Sequence, residues 1–263
     1  MTTKEYKLEL PNVGSVELTV NEYGEGRPYL ILHGGGGPQT VFAFADKLAS
    51  ERQVQVLVPT HPGFALTSRP EELTTVRQLA ELYVKLLDEL NLSNVVVIGS
   101  SLGGGIAAEL SALDSERIDC VVLVDAVGID VPDHPVADFF SLSPQQVAEH
   151  SYHDPIKFAI DPAKLPPQVT AAFPQNRESL KIYSGGASMT DPSLGARLEK
   201  VNIPVLVLWG EADKIVDREY EMAFAQAFPK GRFAQMDKTG HMPQLETPDQ
   251  LIDSIWEFSS NNK

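Results

Sequence analysis

Residues 95–105 read Val-Val-Val-Ile-Gly-Ser-Ser-Leu-Gly-Gly-Gly, a β-branched apolar run that ends at a serine between glycines. A strand that passes into a helix with almost no loop forces its turning residue into a sparsely populated backbone conformation and pushes that side chain outward. Gly99 and Gly103 flank Ser101 where any Cβ would collide with packed backbone. The pattern G-x-S-x-G predicts a buried strand, a sharp reversal that presents the Ser101 hydroxyl, and a helix starting at Leu102. Five letters alone are weak evidence. The strand before them and the helix after them carry the weight.

The rest of the chain supplies a sheet for that strand. Alternating segments near 5–10 and 15–22, separated by Pro11-Asn12-Val13-Gly14, predict an antiparallel hairpin. Tyr29-Leu30-Ile31-Leu32 predicts a fully buried strand ending at His33 and four glycines. A helix near 39–50 and an apolar strand at 54–58 follow. A second helix is expected over 72–91, where Leu79, Leu82, Tyr83, Leu86, Leu87 and Leu90 recur at three- and four-residue steps. After the elbow come a helix over 102–113 and a strand at 119–124. The alternation resumes with Val205-Leu206-Val207-Leu208-Trp209, a helix near 217–228, a short strand at 232–236 and a final helix near 248–259.

Such alternation predicts an α/β fold, a mostly parallel sheet with helices on both faces. Residues 129–198 interrupt it; they are richer in proline and contain no long apolar strand. They are expected to form a helical cap insertion over the carboxyl edge of the sheet, leaving 1–128 and 199–263 as the core. A chain of 263 residues is long enough for that core and one insertion.

A serine hydroxyl is a poor nucleophile until a base removes its proton, and imidazole does so best near neutral pH. The imidazole needs a carboxylate to fix its tautomer. Trp209-Gly210-Glu211-Ala212-Asp213 leaves a buried strand and brings Asp213 to the same sheet edge as Ser101. Gly240-His241-Met242-Pro243 follows the next strand and places His241 on a loop there. The chain order Ser101, Asp213, His241 fits this architecture. Asp125, which ends the strand after the elbow, is the rival acid, with Glu211 and Asp217 as lesser ones. Negative charge on a reacting carbonyl oxygen needs fixed N–H donors. Leu102, opening the elbow helix, offers one, and Gly35 in His33-Gly34-Gly35-Gly36-Gly37 offers the second.

These residues together resemble the α/β-hydrolase superfamily over nearly the whole chain: the His-Gly loop at 33–37, Pro62-Gly63-Phe64, the elbow at 99–103, Gly210 to Asp213, and Gly240-His241. The resemblance implies an α/β-hydrolase fold with Ser101 as nucleophile, His241 as base, Asp213 as acid, and Gly35 and Leu102 as oxyanion donors. It implies a cofactor-free, carboxylesterase-like serine hydrolase acting on a small, largely apolar ester, thioester or lactone. Two alternatives stay open, a carbon–carbon bond hydrolase of meta-cleavage-product type and a hydrolase-fold ligand receptor with little turnover. His61, before Pro62-Gly63, stands where many relatives carry an acidic residue, and a structural turn role is expected for it. Relatives that open epoxides or remove halide carry aspartate at the elbow; serine here argues against both reactions.

Other signals resolve against different chemistry. The glycine loop is followed by Pro38-Gln39-Thr40 and not the Gly-Lys-Ser/Thr of a phosphate loop. A dinucleotide fingerprint over Gly99–Gly104 would need glycine where Ser101 stands. His150, His153 and Asp154 lack a further ligand site and are expected on a solvated surface with no metal. Phe139, Phe140, Tyr152, Phe158 and Phe173 either line an apolar acyl pocket or form the insertion's own core. A formal charge of −15 disfavours nucleic acid and anionic membranes, leaving a small-molecule acyl substrate as the expected partner and the oligomeric state open. The single cysteine, Cys120, sits in an apolar run, so it reads as a buried inert thiol. With no apolar leader or spanning segment, the expected location is cytoplasmic.

Overall fold

The computed structural model describes residues 1–262, and its centre is an eight-stranded sheet. The strands are β1 (Thr2–Leu10), β2 (Gly14–Tyr23), β3 (Pro28–Leu32), β4 (Gln55–Pro59), β5 (Val95–Ser100), β6 (Ile118–Val124), β7 (Val205–Gly210) and β8 (Gly231–Met236). They lie in the order β1-β2-β4-β3-β5-β6-β7-β8. β1 and β2 form the expected hairpin, with Leu10 opposite Gly14, and β2 runs antiparallel to β4. All other neighbours are parallel. Every residue of β5 and of β7 is buried, as an uninterrupted apolar run requires of a strand covered on both faces.

Eleven helices surround the sheet among the described residues: α1 (Phe42–Arg52), α2 (Val76–Glu89), α3 (Leu102–Ser111), α4 (Pro144–Ser151), α5 (Pro155–Phe158), α6 (Pro167–Ala171), α7 (Phe173–Tyr183), α8 (Leu194–Leu198), α9 (Arg218–Gln226), α10 (Pro243–Glu246) and α11 (Pro248–Ser260). The two-residue period of a strand sorts each apolar run between two cores. Tyr29, Ile31, Val96, Ile98, Val122 and Val124 pack with Phe44 and Leu48 of α1 and Ile252 and Ile255 of α11. Leu30, Leu32, Val97, Val121 and Leu123 pack with Leu82 and Leu86 of α2, Ile106 of α3 and Phe224 of α9. Cys120 is fully buried in the first core, where burial pushes its thiol up to about 12.

The element boundaries shift for local reasons. The helix expected near 39–50 is a 3-10 turn over Pro38–Thr40 followed by α1. α2 starts later than its periodicity suggests, because the Thr75 hydroxyl accepts the Gln78 N–H and Gln78 reaches back, a capping box that fixes the first turn. α3 stops at Ser111, and the chain turns away through Asp114 at φ 52°.

Between β6 and β7 the chain forms α4 to α8, linked by irregular backbone. The start and end of this inserted segment meet at an isolated parallel bridge between Ile129 and Asp191, where the Asp191 N–H donates to the Gly128 carbonyl at 2.7 Å. No helix among the described residues is long and apolar enough to cross a membrane.

Candidate active site

Ser101 stands between β5 and α3 with φ 53° and ψ −120°, a conformation that costs a non-glycine residue ~1–3 kcal/mol and needs surrounding structure to hold it. That structure is backbone. The Ser101 N–H donates to the Val124 carbonyl at 3.0 Å, and the Ser101 carbonyl accepts from Gly104 at 2.9 Å and Val127 at 3.2 Å. A Cβ at Gly99 would lie 2.1 Å from the Gly103 carbonyl oxygen, and one at Gly103 would lie 2.0 Å from that of Leu32. Real Cβ atoms do not approach so closely. Both flanking glycines are therefore steric necessities, as the motif implies. Gly104 is a third, since its Cβ would meet that of Ala126 at 2.4 Å.

Asp213 and His241 meet at the ends of β7 and β8. His241 Nδ1 lies 2.8 Å from Asp213 Oδ2, with the carboxylate side chain fully buried and the imidazole 7% exposed. Asp213 Oδ1 accepts the N–H groups of Ile215 at 2.7 Å and Val216 at 3.4 Å. An acceptor on Nδ1 fixes that nitrogen as the donor and leaves Nε2 free to take a proton. The two loops are locked by the Ala212 N–H on the Thr239 carbonyl at 2.9 Å, and a Cβ at Gly210 would sit 2.3 Å from the Gly240 carbonyl oxygen. The contact with Asp213 is the imidazole's one hydrogen bond among the described residues; Ser101 Oγ makes none to it. Nucleophile–base hydrogen bonds often tighten only once substrate is bound.

The other candidate acids make different contacts. Glu211 accepts the Lys238 N–H at 2.7 Å and staples the loop after β8. Asp217 caps α9 through Tyr220 N at 2.8 Å and pairs with His134. Asp125 is fully buried and accepts the Gly210 N–H at 2.8 Å, and no hydrogen bond joins it to His241 among the described residues.

The glycine loop lies on the elbow, and a Cβ at Gly34 would come within 3.1 Å of Ser101 Cβ. Gly37 N–H closes a turn on the Gly34 carbonyl at 3.1 Å, which leaves the Gly35 N–H outside that turn's hydrogen bond. Leu102 opens α3, so its N–H has no carbonyl four residues earlier in the helix. Beneath the loop, His33 and His61 stack with ring centroids 3.7 Å apart. His33 Nδ1 donates to the Gly34 carbonyl at 2.8 Å while Nε2 accepts the His61 N–H at 3.1 Å. His61 Nε2 donates to the His33 carbonyl at 2.9 Å, and its Nδ1 accepts the Tyr83 hydroxyl. Every ring nitrogen is used by a neutral imidazole. Burial drives both rings away from protonation, His33 well below the ordinary range and His61 to about 4. His61 therefore shapes the turn and holds His33, which sets the carbonyl of Gly34.

Several side chains with no motif also build the site. Asn176 of α7, 2% exposed, donates to the Gly36 carbonyl at 3.2 Å and accepts the Ala65 N–H at 2.8 Å. Ser179 donates to the Gly63 carbonyl at 2.7 Å and Tyr183 to that of Pro62 at 2.8 Å. The Glu246 carboxylate accepts three backbone N–H groups, from Gly240 at 2.7 Å and from His153 and Asp154 at 3.1 Å. No sequence pattern marks these residues, because all their partners but Gly240 lie far away along the chain.

The aromatics divide. Phe139 and Phe140 flank the Arg177 guanidinium at 5.4 Å, and Tyr152 stacks on Phe158 with centroids 6.3 Å apart. These are contacts within the inserted segment. His150 Nδ1 donates to the Gln146 carbonyl at 2.8 Å, and His150, His153 and Asp154 do not converge. Among the described residues the one group of three side chains with ligand atoms close together is His134, Asp217 and Glu219, on the surface.

Comparisons with known proteins agree with this architecture. The model of the alpha/beta hydrolase family matches residues 29–254. Lipase 3 of Moraxella sp. (strain TA144) is 27% identical over 242 residues, covering 86% of this chain and 75% of the lipase. The 2-hydroxy-6-oxo-6-(2'-aminophenyl)hexa-2,4-dienoic acid hydrolase of Metapseudomonas resinovorans is 26% identical, covering 95% of this chain and 89% of its own. Among solved structures, bromoperoxidase from Bacillus anthracis superposes with a TM-score of 0.79 over 98% of this chain and 100% of that one, at 21% identity, a likeness of fold. With the family model spanning the sheet from β3 into α11, the chain belongs to the alpha/beta hydrolase family.

Proposed function

We propose that the protein is a serine hydrolase that cleaves a small, largely apolar ester, thioester or lactone through an acyl-enzyme. The observation that supports this reading is the Ser101 backbone at φ 53° at the carboxyl end of β5, on the same sheet edge where His241 and Asp213 pair at 2.8 Å. In this mechanism Ser101 Oγ attacks the carbonyl carbon as His241 Nε2 takes its proton, and Asp213 holds Nδ1–H and stabilises the imidazolium. The N–H groups of Gly35 and Leu102 receive the oxyanion, each such donor being worth ~10²–10³ in rate. The imidazolium then protonates the leaving group, and water releases the acid along the reverse path.

A second reading is a carbon–carbon bond hydrolase of meta-cleavage-product type. It is supported by the relative named as a dienoic acid hydrolase, which aligns with 95% of this chain. The buried thiol of Cys120 and the net charge of −15 are in keeping with a cytoplasmic protein that takes a small-molecule substrate and no nucleic acid.

A fluorophosphonate probe followed by peptide mass mapping tests the proposal. The adduct is expected on Ser101 and is expected to vanish in Ser101→Ala, whose turnover falls to background. Asp213→Asn is expected to lose ~10⁴ in kcat with the fold retained. Failure of the folded protein to label would overturn the hydrolase reading. Labelling without turnover across esters, thioesters, lactones and dienoate ring-cleavage products would mark a receptor, and turnover of the dienoate alone would select the second reading.

A further inference from the structure

The residue before His241 is a glycine, with no side chain to limit its own backbone, so the peptide that carries the imidazole has to be pinned from outside. Three neighbours do this. From the core, Gly210 lies so close that a Cβ there would meet the Gly240 carbonyl oxygen at 2.3 Å. From the inserted segment, the chain lies flush on Gly240, where a Cβ would fall 2.4 Å from the Ser151 carbonyl oxygen and 2.8 Å from Tyr152 Cα. The third pin is Glu246 of α10. Its Oε2 accepts the Gly240 N–H at 2.7 Å and closes residues 240–246 on themselves with His241 inside the loop.

The same carboxylate reaches out to the inserted segment. Oε2 also accepts the His153 N–H, and Oε1 accepts the Asp154 N–H, both at 3.1 Å. A few residues earlier, the His150 carbonyl accepts at 3.0 Å the N–H of Lys214, the residue after Asp213. Residues 150–154 thus form a strap laid across both loops of the acid–base pair. One end is bonded to the loop of Asp213, and the other is bonded through Glu246 to the loop of His241. Glu246 makes these contacts with main chain only, and the imidazole's own hydrogen bond goes to Asp213.

We infer that Glu246 is a positioning residue for the proposed reaction: it fixes the peptide that carries His241 and ties the strap at 150–154 into the same support, so that the inserted segment helps to aim the imidazole. The inference rests on the reading of His241 as the base of Ser101. Loss of the carboxylate leaves three N–H groups without their acceptor and releases Gly240 on its N–H side. A base misplaced by about 1 Å costs on the order of 10² in rate. Such a loss falls on the bond-making step and spares the binding of the reagent.

Saturation kinetics of fluorophosphonate labelling at Ser101 test this, because they separate the maximal labelling rate from the half-saturating probe concentration. Hydrogen exchange reads the supports. Glu246→Ala is expected to lower the maximal rate by about 10²-fold, with the half-saturating concentration held within about twofold. Exchange is expected to quicken together in the peptides containing Gly240 and residues 153–154. Glu246→Gln keeps one oxygen for Gly240 and His153 and turns its NH₂ toward the Asp154 N–H. It is expected to restore the maximal rate to within about fivefold of wild type, with faster exchange at Asp154 alone. An unchanged maximal rate in folded Glu246→Ala, or a loss confined to the half-saturating concentration, would overturn the inference. So would Glu246→Gln as slow as Glu246→Ala. If the alanine variant does not fold, Glu246→Asp, one methylene short of Gly240, takes its place under the same criteria. A folded wild type that does not label breaks the proposed function itself, a separate failure.

Discussion

At the elbow, backbone holds backbone; where the segment between β6 and β7 meets the core, single side chains hold main-chain groups. Ser101 is fixed by four main-chain hydrogen bonds and by glycines whose Cβ atoms would fall 2.0–2.4 Å from their neighbours. The inserted segment instead reaches the core through Asn176, Ser179, Tyr183 and the N–H groups that Glu246 accepts. A framework of the first kind cannot change without misfolding. One of the second kind can be rebuilt piece by piece, and it is the part that lies over the glycine loop and the loop of His241.

The sharpest way to break this contrast is Gly103→Val. With a Cβ placed 2.0 Å from the Leu32 carbonyl oxygen, the variant is expected to lose more than ~4 kcal/mol or to yield no folded protein, read by urea unfolding. Retained stability would mean that the edge is softer than its geometry implies. The next effect concerns pH. His61, neutral and buried, is depressed to about 4, so its contribution is present above the unfolded value of about 6.5 and is lost as pH falls toward 4. Asp125 and Glu221, displaced upward, act with the opposite sign over the same window, so the raw curve mixes the two. The difference between wild type and His61→Gln isolates the histidine. The wild type's advantage is expected to shrink by about 3 kcal/mol between pH 6.5 and pH 4, and a constant difference would refute the neutral pair.

Within the inserted segment the effects are smaller. Asn176→Ala removes two hydrogen bonds and strands the Gly36 carbonyl, with an expected cost of ~2 kcal/mol by thermal or urea unfolding. Ile156→Ser, at a side chain 97% exposed, is expected to change stability by less than ~0.5 kcal/mol. If the two variants cost the same, the staples are not what seats the segment.

This division also explains what was legible in the residues themselves. The two cores follow from apolar runs whose alternate residues must go to opposite faces, and the elbow follows from a steric rule stated in five letters. The pairing of His241 with Asp213 was foreseeable because both end strands at one edge. Sequence left Asp125 as a rival because its strand ends there too; the structure separates the two by which carboxylate reaches the imidazole. Asn176 and Glu246 were not legible. An amide 140 residues from the carbonyl it serves, or a carboxylate 93 residues from an N–H it accepts, leaves no local periodicity. The aromatics of the insertion also stayed undecided, since pairing within the segment and lining a pocket ask for the same residue types.

Glu246 joins the two kinds of construction in one side chain, taking Gly240 beside the imidazole with one oxygen it shares with His153. Any hinge-like excursion of the inserted segment thus pulls on the loop that carries the imidazole. A graft that exchanges residues 129–198 has to present two successive main-chain donors to that carboxylate, or the swap will disturb the loop that holds His241 along with the segment itself.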